Sequence, residues 1–561
     1  MKYLFSFFLV SILFSSSVFA GSLNQAAVAT AHPMATQAGI DILKQGGNAF
    51  DAAAAVTASL AVVEPYSSGI GGGAFWLIHR ASDKKQIMID GREKAPLAAH
   101  KNMYLDKNGN VIKGLSLNGP MAAGIPGIPA GIVHLVKQYG RLSLKQDLAP
   151  AIKQAEQGFP VTERYQKLMG YRSSVVKKYP DAANIFLRNN KIPVLGDLIV
   201  QKDLAGTLRL IAKRGKDGFY GGPVAKKLVN SVQANGGIWE TEDLAKYRLV
   251  ERKPIIINYN GIKVTSASLP SSGGIVLGQA LNILENFNLK QYDSVNRKHI
   301  VIEAMRRAYR DRAAFLGDAD FIDVPVDRLL DKQYAEGLAL TIDIDKATPS
   351  AEIADVPTHE PTGMNTTHFS IIDAEGNRVS ATLSINLPFG SGFVAAGTGV
   401  LLNDEMDDFS IKPLTANAYG LVGDQANAIA PEKRPLSSMT PTFLETDDRI
   451  GILGTPGGSR IISMVLLGVL DFADGHLPKS WVSIPRYHHQ YLPDQVQFEK
   501  GGLTLSEQEG LKKKGHVLSE KNRRYGNMQA IMLWKKKNIL FAASDPRGEG
   551  EAIVQFIPAA Y

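Results

Sequence analysis

The chain has 561 residues, 45 % of them hydrophobic and 21 % charged, with a formal net charge of +8 and no cysteine. Those proportions describe an ordered, core-forming protein longer than one ordinary domain, not a tail or a fibre. The missing thiols exclude cysteine catalysis, disulfide staples and cysteine-ligated metal.

Residues 1–20 read as a secretory signal. Lys2 precedes an apolar run that ends in Ser15-Ser16-Ser17 and the small-residue site Val18-Phe19-Ala20. A membrane anchor needs roughly 20 unbroken apolar residues, which the serines deny it. No later segment is long and apolar enough to span, so the mature chain is expected in the periplasm or released. A helix is predicted over 34–45, stopped by Gly46-Gly47, and Asn48 caps a second over 49–63. The glycine-rich 67–73 loop follows a helix and leads into a strand, the reverse of a dinucleotide site; a close backbone approach fits it better. The glycine- and proline-rich 124–131 segment precedes a helix running to about Tyr139, more helices follow through 235, a strand pair lies near 255–265, and Pro270-Ser271-Ser272-Gly273-Gly274 opens another helix. A further long helix covers 299–315. Residues 317–365 are acidic and broken by Pro349, Pro357 and Pro361, the pattern of an exposed connector.

From Thr366 the period changes to strands. Segments 366–372 and 378–385 flank Asp373-Ala374-Glu375-Gly376-Asn377, a hairpin whose centre near Glu375 sets Thr366 opposite Ser384 unless a bulge slips the register. The late basic runs, 512–514, 523–524 and 535–537, lie beside Gly or Asn and lack interleaved aromatics, so they read as solvated turns and not as a nucleic-acid surface. Helices first and strands later around one core predict an α+β fold, helical layers over stacked sheets.

The chemistry starts at Asn365-Thr366-Thr367-His368. A threonine hydroxyl is a poor nucleophile without a neighbouring base, but an N-terminal threonine carries one, its α-amine, with a reference pKa of about 7.7–8.0. Thr366 gains that amine only when the Asn365–Thr366 bond breaks. Alone, the two threonines merely open a strand. Further on, the glycine-rich segment 454–460 leads directly into a helical run, and free N–H groups at a helix start suit a developing negative charge. No Gly-Lys-Ser/Thr follows, which sets a phosphate loop aside. Segment 403–409 concentrates carboxylates without the glycine and final glutamate of an EF-hand; a solvated acidic loop and a grip on an ammonium both remain open. Ser437 and Ser438 lie in a loop made rigid by Pro435 and Pro441, and the fork of Arg92 matches a carboxylate. Adjacent His488 and His489 point to different sides of a strand and read as structural, so neither metal nor cofactor is expected.

Together these segments resemble the γ-glutamyltransferase (γ-glutamyltranspeptidase, glutathione hydrolase) family of N-terminal-nucleophile hydrolases. The likeness runs through His32-Pro33, Gly46-Gly47-Asn48-Ala49, Asp51-Ala52-Ala53, the 67–73 loop, the 270–274 loop, Thr366-Thr367-His368, Met406-Asp407-Asp408-Phe409, the 434–439 loop and segment 454–460. It implies a four-layer αββα sandwich, cut into a large subunit (21–365) and a small subunit (366–561) that stay together as a heterodimer. It makes Thr366 the nucleophile and, with Asn365, the processing site. Ser384 takes a supporting-hydroxyl position more often held by threonine, and Gly457 and Gly458 become oxyanion donors. Asn386, Glu405 and Asp408 would bind the donor α-amino group, some relatives having glutamine in place of Glu405. Arg92, Ser437 and Ser438 would hold its α-carboxylate. Tyr419 resembles the tip of a lid, and the 413–431 block that forms it is present at full length. The implied activity is self-cleavage, then transfer of the γ-glutamyl group of glutathione or a related amide to water, an amino acid or a peptide. Two rivals stand beside it: a cephalosporin or glutaryl-amide acylase on the same scaffold, and an inert periplasmic binding protein. The lid and the complete ligand set weigh against the first, the intact nucleophile against the second.

Overall fold

The predicted hairpin forms as strands Thr367–Ile372 and Arg378–Ser384, closed where Asp373 accepts the N–H groups of Glu375 and Asn377, both at 2.9 Å. Thr367 pairs with Leu383, so Thr366 and Ser384 face each other in the expected register. The computed structural model describes residues 23–352, 366–413 and 415–557; the signal-like segment and Asn365 fall outside the described residues.

The hairpin is central in a seven-stranded antiparallel sheet ordered Glu551–Phe556, Gln25–Thr30, Thr367–Ile372, Arg378–Ser384, Gly73–Arg80, Lys85–Gly91, Val250–Arg252. A six-stranded antiparallel sheet follows the order Ile539–Ser544, Gln529–Trp534, Arg449–Gly454, Thr442–Glu445, Ile262–Ser266, Ile255–Tyr259. Period-2 alternation divides their side chains. Ala27, Leu77 and Ile372 of the first sheet share a buried cluster with Phe443, Ile452 and Ile531 of the second. Their neighbours Val28, Trp76 and Ile371 point the other way, into a cluster with helix Ala49–Val63. Likewise Leu444, Leu453 and Ala530 join helices Gly273–Leu284, Ser294–Phe315 and Ile461–Ala473.

Helix Ala49–Val63 is alanine-rich and buried on every side, so small side chains let it lie close to the sheet. Asn48 and Asp51 cap it reciprocally. The long helix Ser294–Phe315 starts earlier than its apolar period suggests, because the Asp293 carboxylate accepts the Asn296 N–H at 2.7 Å. The expected connector also contains helices, Val326–Leu329 and Lys332–Leu340, the second capped by Asp331. Lys512 and Lys513 occupy the last turn of helix Leu505–Lys513, where cations suit the carbonyl end, instead of a loop. No helix among the described residues is long and apolar enough to cross a membrane.

Candidate active site

Thr366 stands at the start of its strand, 4 % exposed, with Oγ1 3.5 Å from Ser384 Oγ. Ser384 Oγ accepts the Asn386 N–H at 2.9 Å, and Asn386 takes the left-handed conformation (φ 70°) that asparagine tolerates. Its side-chain amide donates to the Asp404 carbonyl at 2.9 Å, fixing the chain just before Glu405. The glycine-rich loop explains itself here. A Cβ at Gly72 would overlap the Ser384 carbonyl, and one at Gly71 the Leu401 carbonyl. The strand alternation turns Thr367 away from Thr366, and its hydroxyl donates to Glu64 Oε2 at 2.6 Å. Burial pushes the Glu64 carboxyl up to about 7. His368 is no base: burial lowers it to about 3, and its ring bonds Thr382 at 2.9 Å and Ser370 at 3.3 Å between the sheets.

Three carboxylates surround one guanidinium. Arg92, 1 % exposed, donates to Glu405 at 2.7 Å and Asp408 at 2.6 Å, with Glu93 at 3.3 Å and the Pro435 carbonyl at 3.1 Å. Burial opposes the Arg92 charge, but Glu405, Glu93 and Asp408 outweigh it and hold Arg92 protonated. Burial, then repulsion from Glu405, pushes Glu93 and Asp408 well above the usual carboxylate range. Three carboxyl groups thus compete for one guanidinium, so a ligand ammonium would favour their ionised forms, and a ligand carboxylate would compete with Glu405 and Asp408 for the Arg92 fork.

The serine loop is held from the other half of the sequence. Ser437 N–H donates to the Pro270 carbonyl at 2.9 Å, its own carbonyl accepts Ser272 Oγ at 2.7 Å, and Ser271 Oγ reaches the Met439 carbonyl at 2.6 Å. Arg312, buried and bonded to Ser272 Oγ (3.0 Å) and Ser438 Oγ (3.3 Å), completes the brace.

Gly457 and Gly458 both have positive φ, 149° and 58°, and precede helix Ile461–Ala473 by one 3₁₀ turn. The Tyr419 ring lies where a Gly458 Cβ would be, and its hydroxyl donates to the Asn386 carbonyl at 2.8 Å. Asp407 accepts the Ala418 N–H at 2.9 Å and Gln490 donates to the Gly420 carbonyl at 2.9 Å, so the segment carrying Tyr419 is tied down on both sides. Every residue predicted to attack or grip the donor lines one cavity of about 20 Å³, except Gly457, which lines the neighbouring one. That is room for about one water, so Tyr419 closes the pocket over Thr366.

Sequence reasoning missed Glu93, Arg312 and Glu64. Glu93 adjoins Arg92 in sequence and was open to notice; the other two carry no local signal. His488 bonds Ser463 and Gln490 while His489 bonds Asp494, the divergent pair expected. Among the described residues His299, Glu303 and His516 could approach a metal, but the two rings bond each other at 2.7 Å and Glu303 serves Arg306 and Arg307.

A sequence profile of the family described as gamma-glutamyltranspeptidase matches residues 35–555. The chain belongs to the γ-glutamyltranspeptidase family. It is 44 % identical over 536 residues to a glutathione hydrolase proenzyme of Pseudomonas sp. (strain A14), covering 93 % of this chain and 92 % of that one. The glutathione hydrolase proenzyme of Escherichia coli K12 is 43 % identical, with 93 % and 90 % covered. Among solved structures, a cephalosporin acylase from Bacillus halodurans superposes with TM-score 0.82 at 29 % identity, over 94 % of this chain and 95 % of that one. The Helicobacter pylori gamma-glutamyltranspeptidase gives TM-score 0.56 at 45 % identity, over 58 % and 93 %. The mixed helix-and-sheet fold is thus that of N-terminal-nucleophile hydrolases of both activities.

Proposed function

We propose that this chain is a self-processing γ-glutamyltransferase and glutathione hydrolase that uses Thr366 as its nucleophile. Thr366 Oγ attacks the Asn365 carbonyl, the resulting ester is hydrolysed, and residues 21–365 and 366–561 remain associated within one four-layer αββα sandwich after export to the periplasm. The freed α-amine of Thr366 then takes the Oγ proton as Oγ attacks the γ-carbonyl of glutathione or a related amide. Ser384 orients Oγ, and the Gly457 and Gly458 N–H groups stabilise the oxyanion. Asn386, Glu405 and Asp408 take the donor ammonium; Arg92, Ser437 and Ser438 take its α-carboxylate. The amine leaves, and water or an acceptor amine resolves the ester.

One observation carries this reading: the mixed-sign charge cluster of Arg92, Glu405 and Asp408 lines the same small cavity as Thr366 and Ser384. An amino-acid head group presents both charges at that spacing, whereas a glutaryl side chain lacks the ammonium. The high structural likeness to a cephalosporin acylase keeps that activity as the rival. Release of p-nitroaniline from γ-glutamyl-p-nitroanilide, accelerated by glycylglycine, is the expected result. Fast cleavage of glutaryl-p-nitroanilide with a silent γ-glutamyl donor would reverse the assignment.

A further inference from the structure

A cleft of about 320 Å³ lies between the helical run 128–139, the turn that follows helix Lys202–Arg214 and the stretch 248–251. It shares no lining residue with the Thr366 pocket. Small-molecule sites begin at about this volume, roughly 300 Å³. Four cations border the cleft: Lys137, Arg214, Lys216 and Arg248. Among the described residues, none of the four lies within salt-bridge distance of a carboxylate.

A structural role accounts for one of them. Arg214 stands in the last turn of its helix, where a cation suits the carbonyl end. The other three have no such explanation. Lys137 belongs to a single π turn, Leu135–Tyr139, a geometry that recurs at functional sites. Its Nζ lies over Gly215, where φ is 62° and a Cβ would crowd the ammonium. The next residue, Lys216, is half-buried, and burial followed by the Arg248 guanidinium lowers its pKa. Arg248 is fixed in place. Its Nη1 donates to the Ala245 and Tyr247 carbonyls at 2.7 Å and 2.9 Å, and its own carbonyl accepts Arg434 Nη2 at 2.7 Å. Like charges held together without a counter-ion cost Coulomb energy that an entering anion returns.

The rest of the wall narrows the identity of that anion. Two carboxylates border the cleft, Asp217 and Glu251. Glu251 is already engaged by the His134 ring at 2.8 Å and by the Tyr139 hydroxyl, and Asp217 offsets part of the Lys216 charge. Four cations against two carboxylates leave an excess of two positive charges. A phosphate monoester carries about −1.5 to −2 at neutral pH, which matches that excess. Ala130, Val133 and Leu249 add an apolar floor beside the cations, suited to a compact organic group. We propose that this cleft binds a small phosphate monoester, with the phosphate among Lys137, Lys216 and Arg248 and the organic part over Val133 and Leu249. The site is independent of the Thr366 reading, because neither its residues nor its ligand enter acyl transfer.

Isothermal titration of the full-length processed protein with phenyl phosphate, and separately with inorganic phosphate, tests the proposal. Phenyl phosphate is expected to bind at one site per molecule, about tenfold tighter than inorganic phosphate, the scale of burying an apolar group. Lys216→Gln/Arg248→Gln should weaken it by about tenfold or more, the scale of one lost charge-assisted hydrogen bond. Lys137→Gln replaces an exposed side chain, so it keeps the fold, and should weaken binding severalfold. Arg523→Gln/Arg524→Gln, in the cavity beside Gly457, should bind as the wild type does. No saturable binding to the wild type overturns the proposal, as does wild-type affinity in Lys137→Gln. Binding lost in Arg523→Gln/Arg524→Gln sends the anion to the other cavity and overturns it equally. Equal affinity for phenyl phosphate and inorganic phosphate overturns the assignment to a monoester.

Discussion

The cavities on either side of the 457–458 loop handle charge in opposite ways. In the Thr366 pocket one arginine is enclosed by three carboxylates, all paired internally, and about 20 Å³ is left open. In the neighbouring cavity, among the described residues, six cations face about 90 Å³ with no carboxylate in the wall. The first arrangement suits a zwitterion. Its groups are already desolvated and held in place, so an entering amino-acid head exchanges internal pairs for external ones without reorganising the wall. The second suits an anion of variable shape, attracted through a field that salt screens.

The comparison breaks most severely at Arg92. Arg92→Leu leaves Glu93, Glu405 and Asp408 without their cation, a loss of about 3–5 kcal/mol for a buried pair. Donor kcat/KM should fall by roughly 10² to 10³ and the Tm should drop, read by p-nitroanilide kinetics and calorimetry. Unchanged donor KM would show that the charge cluster is not the donor grip.

Gly458→Ala tests the loop between the two cavities. The residue has φ 58° and its new methyl would meet the Tyr419 ring. A drop of about 10² in kcat is expected, the scale of one lost oxyanion donor. Adding Tyr419→Ala should recover part of it by removing the clash. Wild-type kcat in Gly458→Ala would remove this glycine from the oxyanion site.

The smallest effect lies beside Thr367. Glu64 has a folded pKa of about 7 against an ordinary value near 4.5, because burial disfavours its charge. Its contribution is most favourable below about 4.5 and is lost as pH rises through about 7, at most about 3 kcal/mol. Glu64→Gln keeps an acceptor for the Thr367 hydroxyl and removes the titration. Relative to wild type, the variant should therefore gain Tm at pH 8 over pH 5; a constant difference would contradict the assignment.

The Thr366 hairpin was legible because two strong local signals agree: period-2 alternation and an Asp-x-x-Gly-Asn turn fix Thr366 opposite Ser384 with no tertiary information. The 71–72 glycines were legible for the same reason, since a missing Cβ announces close backbone approach. Arg312 was not. In sequence it belongs to an arginine-rich helix indistinguishable from a solvated one, and only the 270–274 and 437–438 loops landing on it make it a brace. Arg523 and Arg524 do lie in the expected turn between strands Leu518–Lys521 and Gln529–Trp534, but that folding brings Arg164, Arg460 and Arg547 beside them was not legible. Local chemistry is written in spacing, but convergence of distant like charges is not.

The central claim is that a hydroxyl becomes a catalyst when its own peptide bond is cut. Intact-mass analysis of the purified wild-type and Thr366→Ala proteins tests it most directly. Wild type should yield two polypeptides, one beginning at Thr366, and Thr366→Ala a single inactive chain. A fully active wild-type protein of undivided mass, or a Thr366→Ala variant that still divides at this bond, would contradict the account.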